Sequence, residues 1–237
     1  MDPNGKQHTN LSTFEIMISI LTPSIRPKGL AIVQKCLAEQ TCQDFEWLVE
    51  MGIPTRGCDL SRAFNRMIRR AKGEWIAILQ DYTKIKPDGL ERFLEIADPK
   101  KLYTGAVGKT LDWKNVKWDW RKSGKFREIE YRHWEIDWGF APLQAFKDVG
   151  GFEEEYDQFW SIENVEVAFR MSKLGYKFYV MPDNKAIHYD HDKVFKHPFR
   201  EKYNPMFHSA RIQDIEMGNK PIKLDYLTTG LVENKIK

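Results

Sequence analysis

The residues best suited to chemistry in this chain are carboxylates placed where regular structure should stop. In WIAILQDYTKI (75–85) an apolar run ends on Gln80-Asp81-Tyr82-Thr83, and a Lys-Pro-Asp turn follows. A carboxylate there is either an ordinary polar strand end or a group at the carboxyl edge of a sheet, where α/β proteins bind ligands. A second acidic site opens IENVEVAFR, where Glu163 precedes Asn164 and Glu166 lies one turn on. At a helix start such groups are favoured by the macrodipole alone, by about 0.3–1 kcal/mol each. Imidazoles follow in AIHYDHDK, at His188 and His191. Residues 111–138 hold five of the eight tryptophans, interleaved with Lys and Arg. Nucleic-acid bases stack on such surfaces, and the apolar C–H faces of sugar rings suit them equally.

The elements that must position these groups follow from periodicity. FEIMISILT (14–22) reads as a buried strand that Pro23-Ser24-Ile25-Arg26-Pro27 breaks, because proline sustains neither a ladder nor a helix interior. Leu30, Val33 and Leu37 recur at helical spacing, and FEWLV (45–49) is a second short strand ending at Glu50. GIPTRGCD is loop. Phe64, Met67, Ile68 and Ala71 fall on one face of a second helix that begins near Leu60 and closes at Gly73. WIAIL is the third strand. Strands apolar throughout, alternating with helices, predict an α/β fold whose parallel sheet is covered on both faces. The loops after the three strands, 22–26, 50–52 and 80–83, then share one edge. TGAVGKT (104–110) only superficially matches a phosphate loop, since the first glycine would have to be at position 103, which is Tyr103.

Bulk properties bound the rest. The chain has 237 residues, 42% hydrophobic and 30% charged, enough for one good-sized domain. A net charge of +3 does not by itself establish a nucleic-acid partner. There is no apolar run of membrane-spanning length and no apolar signal core in MDPNGKQHTNLST. The sequence therefore predicts no transmembrane segment and a cytoplasmic protein, with Cys36, Cys42 and Cys58 as reduced thiols. Residues 1–13 read as a flexible leader and 192–237 as a polar tail that wraps the body. Between them lie a first half (14–110) and a second half (111–191) of one domain.

Six segments in order now carry a resemblance: ISILTPSIRP, TCQDFEWLVE, LSRAFNRMIRRAKGEWIAILQDY, GFAPLQAFKDVGGFEEEYD, WSIENVEVAFRMSKLGYKFYVMP and AIH. Together they resemble GT-A fold glycosyltransferases, in the large family two that includes inverting bacterial and phage enzymes. The resemblance implies a GT-A (Rossmann-like), mixed, mostly parallel sheet flanked by helices, in a single domain with a C-terminal wrapping tail. It also implies transfer of a sugar from a nucleotide-sugar donor, a UDP-sugar, to an acceptor hydroxyl. The donor diphosphate would be neutralised by a divalent metal, Mn2+ or Mg2+. By the same resemblance, the nucleotide-sugar site takes in Thr22, Pro23, Ser24, Arg26, Glu50, Arg62, Asn65, Gln80 and Asp81. Arg66, Arg69 and Arg70 read instead as a solvated helix face. Trp138 and Gly139 are placed near the donor or acceptor sugar. The family's Asp-x-Asp falls on Gln80-Asp81-Tyr82, so both outer carboxylates are missing and only the central residue, Asp81, is acidic. The implied metal ligands are Asp81 and His188, with His191 as the near alternative. The family's acidic pair, which supplies the catalytic base, falls on Glu163-Asn164, leaving Glu163 for that role. ENVEVAFR also resembles the Glu-Asn-x-Glu pattern of some retaining GT-A enzymes, so the stereochemical outcome stays open.

Trp113, Trp118, Trp120 and Trp134 could form a platform for a glycan acceptor. Since phage relatives can glycosylate hydroxymethylated DNA bases, a phage-encoded DNA glycosyltransferase acting on hydroxymethylated pyrimidines in the host cytoplasm is the second reading. A third, of another class, is a nucleotide-sugar-binding protein that has lost catalysis.

Overall fold

The structure is a computed structural model that describes residues 16–52, 59–158, 162–190 and 200–228. The strands are β1 (Ile18–Ser24), β2 (Phe45–Met51), β3 (Trp75–Leu79), β4 (Thr83–Ile85), β5 (Lys101–Thr110), β6 (Lys117–Trp118), β7 (Arg127–Ile129), β8 (Trp138–Pro142) and β9 (Lys177–Tyr189). The helices are α1 (Pro27–Ala38), α2 (Leu60–Arg70), α3 (Gly89–Leu94), α4 (Leu143–Val149), α5 (Glu163–Lys173) and α6 (Arg200–Glu216). WIAIL coincides with β3, and TGAVGKT lies within β5.

The main sheet has the order β2-β1-β3-β8-β5-β9-β4, with β6 and β7 added on β5 and β9. β1 pairs in parallel with β2 and β3, and β5 with β9, whereas β8 and β4 run the other way. Five of the seven path strands therefore point in one direction, giving the mixed, mostly parallel sheet that was expected. The apolar runs have a simple cause: each strand feeds two cores. Ile76 and Ile78 of β3 pack with Phe64, Met67, Phe146 and Val167 from α2, α4 and α5. Trp75, Ala77 and Leu79 pack on the opposite face with Val33, Leu37 and Phe93 from α1 and α3. A strand with apolar neighbours on both faces cannot alternate with polar residues.

The connections between the halves are tight. Gly150 and Gly151 adopt φ of +74° and +92°, where an L side chain is strained. Asn65 closes this turn, donating from Nδ2 to the Phe152 carbonyl at 2.9 Å and accepting from the Phe152 N–H at 2.8 Å. The C-terminal segment is more than a polar wrap. It contains the 17-residue α6, and beyond it Leu224 donates its N–H to the Val149 carbonyl at 2.9 Å. Buried Arg211 of α6 is ion-paired with Glu153, so the segment is anchored by charge as well as by packing.

Candidate active site

The topology brings the predicted loops to one edge. β1, β2 and β3 end there, β9 ends there, and the antiparallel β8 and β4 begin there. Asp81 is 4% exposed and is the hub. Its Oδ2 accepts from the Ser24 hydroxyl at 2.6 Å and from Arg26 Nη1 at 3.3 Å. Ser24 in turn accepts the Arg26 N–H at 2.8 Å, which fixes the turn after β1. Arg26 Nε is buried and has no hydrogen-bond partner. A buried, unsatisfied donor on a cationic group suits an anionic ligand.

His188 lies opposite Thr83 in the β4–β9 ladder, and Thr83 is two residues after Asp81 in the chain. The Thr83 hydroxyl is 3.0 Å from His188 Nδ1 and 3.4 Å from the Asp81 carbonyl. A hydroxyl at one ring nitrogen orients the imidazole, as the outer-shell partners of metal-binding histidines do. His191 lies outside the described residues. Tyr82 has φ of +57°, Trp113 +62° and Ile162 +78°. These are the non-glycine residues at positive φ among the described residues, and all flank the edge. Tyr82 follows Asp81, Ile162 precedes Glu163, and Trp113 stacks on Tyr189, the neighbour of His188, at 5.4 Å. Such backbone outliers concentrate at functional sites.

Gly29, which the sequence reading passed over, makes the hub possible. A Cβ there would lie 2.5 Å from the Tyr82 ring and 3.0 Å from Asp81 Cβ. The first turn of α1 can therefore approach Asp81 only with glycine at this position.

Other predicted residues are tied into the protein itself. Thr22 accepts from the Trp47 indole at 2.9 Å, and Pro23 pairs with Glu50 in the β1–β2 register. Glu50 is ion-paired with Arg66 at 3.2 Å and Arg70 at 2.9 Å, while Arg69 donates to the Tyr226 carbonyl. The arginines read as a solvated face thus hold β2 and the C-terminal segment to α2. Arg62 bridges Glu154 at 3.1 Å and Asp157 at 3.3 Å. Asp157 also accepts the N–H groups of Ser61 and Arg62 at the start of α2, and its burial raises its pKa to about 6. Asn65 is fully buried with both ends of its amide used by Phe152. Its place in this structure is a clamp, because no polar atom remains to face a nucleotide. Gln80 is half-buried at the end of β3.

The second-half residues divide in the same way. Trp138 is fully buried in the core, donating from Nε1 to Asn184 at 3.0 Å, so its ring offers no face to a sugar. Gly139 pairs with Ile78 within the sheet. Trp134 is buried as well, bonded to the Tyr103 carbonyl at 3.0 Å. Each of the other three carries a cation over its ring: Lys84 on Trp113, Lys122 and Lys185 on Trp118, Arg127 on Trp120. Glu163 opens α5, 5% exposed, and Asn164 donates to the Trp134 carbonyl at 2.8 Å. Glu166 is fully buried and holds Arg170 through two bonds of 2.8 Å. That commitment removes it from the Glu-Asn-x-Glu role.

A group missed in the sequence is Glu135. It belongs to the turn entering β8, half-buried at the same edge. The pattern Trp134-Glu135-Ile136-Asp137-Trp138, two carboxylates immediately before an apolar strand, was its available signal.

No protein-family model matches this sequence, and no curated protein matches it. Solved structures do. Residues 1–349 of S. aureus TarS in complex with UDP-GlcNAc superimpose with a TM-score of 0.58 at 13% identity, covering 75% of this chain and 59% of that one. The fold is that of a GT-A-type glycosyltransferase. TarS 1–349 in complex with UDP gives a TM-score of 0.56 at 13% identity, over 86% of this chain and 66% of that one. This chain thus spans roughly 59–66% of the length of these TarS structures. Among the described residues of this GT-A fold, no helix is long and apolar enough to cross a membrane.

Proposed function

We propose that this chain is a glycosyltransferase that moves a sugar from a nucleotide-sugar donor, a UDP-sugar, to an acceptor hydroxyl. The observation that carries this reading is the Ser24–Arg26–Asp81 constellation at the carboxyl edge, with the orphan Nε–H of Arg26 poised for an anion. Support comes from the fold shared with TarS, which has been solved with UDP-GlcNAc and with UDP. Because Thr22 and Asn65 are hydrogen-bonded within the protein and Arg62 is ion-paired to Glu154 and Asp157, our reading centres the donor site on Ser24, Arg26, Gln80 and Asp81, with Pro23 and Glu50 beside them.

A divalent cation, Mn2+ or Mg2+, belongs to the proposal. Among the described residues no group of three or more His, Cys, Asp or Glu side chains could hold a metal. One carboxylate and one imidazole fit a cation that completes its shell with substrate phosphates and water. Asp81 and His188 are those residues, and the bound ion would neutralise the diphosphate leaving group. Arg26 adds a fixed positive charge on the same side, which suits a metal requirement that is partial rather than absolute.

The acceptor we favour is a glycan. A DNA acceptor with hydroxymethylated pyrimidines is the second reading, favoured by the lysines and arginine laid over Trp113, Trp118 and Trp120. A screen of UDP-sugars against simple saccharides, hydroxymethylcytosine DNA and hydroxymethyluracil DNA, read by mass shift, tests both. A shift confined to DNA reverses our order of acceptors. Asp81→Ala should lower UDP release and abolish its response to manganese, and an unchanged response removes Asp81 from the site. A wild-type protein that binds UDP yet releases none from any donor with any acceptor would be a binding module instead.

A further inference from the structure

The turn from Trp134 to Asp137 delivers a carboxyl group to the active edge under unusual constraint. It enters β8 where Trp138 pairs with Leu79, the residue before Gln80-Asp81. Its backbone is held at three points. Asn164, next to Glu163, donates to the Trp134 carbonyl at 2.8 Å and ties the turn to the start of α5. The Thr104 hydroxyl lies 3.4 Å from the Glu135 carbonyl. Gly139 packs so closely that a Cβ would stand 2.4 Å from that same carbonyl oxygen. The Glu135 carboxyl is desolvated and interacts with Arg121 and Asp119 from the 119–122 turn, Asp137 from its own turn, and Glu163 from α5. Arg121 cannot neutralise it fully. Its Nε and Nη2 are committed to Asp119 at 2.9 and 2.5 Å, and its Nη1 to Thr104 at 3.2 Å.

We propose that Glu135 takes the proton from the acceptor hydroxyl, and that Glu163 is the neighbouring charge that tunes it. The inference rests on the transfer reaction proposed above and moves the base from the residue the sequence suggested to one the tertiary structure supplies. In the step, the acceptor O–H proton passes to the Glu135 carboxylate as the oxygen bonds to the sugar's anomeric carbon. The bond from that carbon to the diphosphate oxygen breaks, and its electron pair leaves with the nucleoside diphosphate. The proton then returns to solvent.

The surroundings suit the task. Burial raises the Glu135 pKa from 4.5 to about 7; Arg121 opposes the shift, and Asp137, Asp119 and Glu163 add to it. A general base works best with a pKa near the operating pH. After burial, the like charges of Asp137, Asp119 and, least, Glu163 keep Glu135 basic.

The test uses the full chain, with Glu135→Gln and Glu163→Gln, in three measurements. Infrared difference spectra of the wild type, without ligand, should show a carboxyl titrating near pH 7 that Glu135→Gln removes and Glu163→Gln moves to lower pH. UDP affinity should be unchanged within about twofold in Glu135→Gln, which also reports that the variant is folded. Release of UDP from UDP-GlcNAc or UDP-glucose should fall at least 100-fold in Glu135→Gln, in the range expected for loss of a general base, and lose its rise between about pH 6 and 8. Glu163→Gln should keep that rise with a lower midpoint. The proposal is overturned if no carboxyl titrates near pH 7, or if Glu135→Gln keeps the rate and pH profile while Glu163→Gln loses them. If wild type neither binds UDP nor releases it from any donor, the transfer reading fails, and the role of Glu135 with it, whatever the infrared titration shows. Because the wild-type titration and Glu163→Gln both report on Glu135, a misfolded Glu135→Gln would still leave two decisive readouts.

Discussion

Glu166→Gln separates a structural from a catalytic reading of the IENVEVAFR helix. Glu166 and Arg170 have no exposed surface and are joined by two bonds of 2.8 Å. Arg170 also donates to the Val149 and Gly151 carbonyls at 2.6 and 2.7 Å, and Arg211 Nε stands 3.6 Å from Glu166. With Glu153, these form a buried set of two acids and two bases. Removing the charge of Glu166 leaves one cation in excess in the interior. Breaking a buried pair from one side costs about 3–5 kcal/mol, and glutamine retains one acceptor oxygen, so about 3 kcal/mol is expected. For a chain of this size that lowers Tm by roughly 6–12 °C, at about 2–4 °C per kcal/mol. The assay is thermal denaturation by circular dichroism beside UDP release at a temperature where both proteins are folded. The expected result is a large drop in Tm with the rate per folded molecule kept. An unchanged Tm with lost transfer would refute the reasoning and restore Glu166 to the Glu-Asn-x-Glu pattern.

Further outcomes follow from the same geometry. Gly29→Ala forces a Cβ to 2.5 Å from the Tyr82 ring, so a loss of about 1–3 kcal/mol and roughly tenfold weaker UDP binding are expected; calorimetry showing neither would release Gly29 from the site. The raised carboxyls Glu135 (about 7) and Asp157 (about 6), both driven chiefly by burial, bind protons more tightly in the folded state. Their stabilising contribution is present below about pH 4 and is lost as pH rises through about 6–7. Glu135→Gln should therefore gain stability over wild type on going from pH 5 to pH 7.5, by at most about 3 kcal/mol, in urea unfolding. Equal gains at both pH values would show that Glu135 titrates normally.

The local elements of this fold were legible because their causes are local. The unbroken apolar run of β3 follows from its two-faced core, and the spacing of Phe64, Met67 and Ile68 from the one face that α2 buries. Asp81 could be placed for the same reason, since a polar stop after a buried strand marks its carboxyl end. Residue type alone did not separate a ligand-facing side chain from a structural one. Asn65, Arg62 and Glu50 have the chemistry of a nucleotide site, yet their partners are Phe152, Asp157 and the arginines of α2. Trp138 was expected near the donor or acceptor sugar, but its pairing with Leu79 puts it inside the sheet.

What the sequence determined by itself was the period of each segment and the identity of the carboxylate at the end of the third strand. Tertiary structure alone decided which acidic group stands beside Glu163. The insertion of β8 antiparallel between β3 and β5, and the tie from Asn164 to Trp134, join residues about 30 to 60 positions apart. The desolvation and like charge that raise Glu135 arise from that assembly. Periodicity is written into neighbouring residues, whereas a perturbed carboxyl is a property of the space that distant residues enclose.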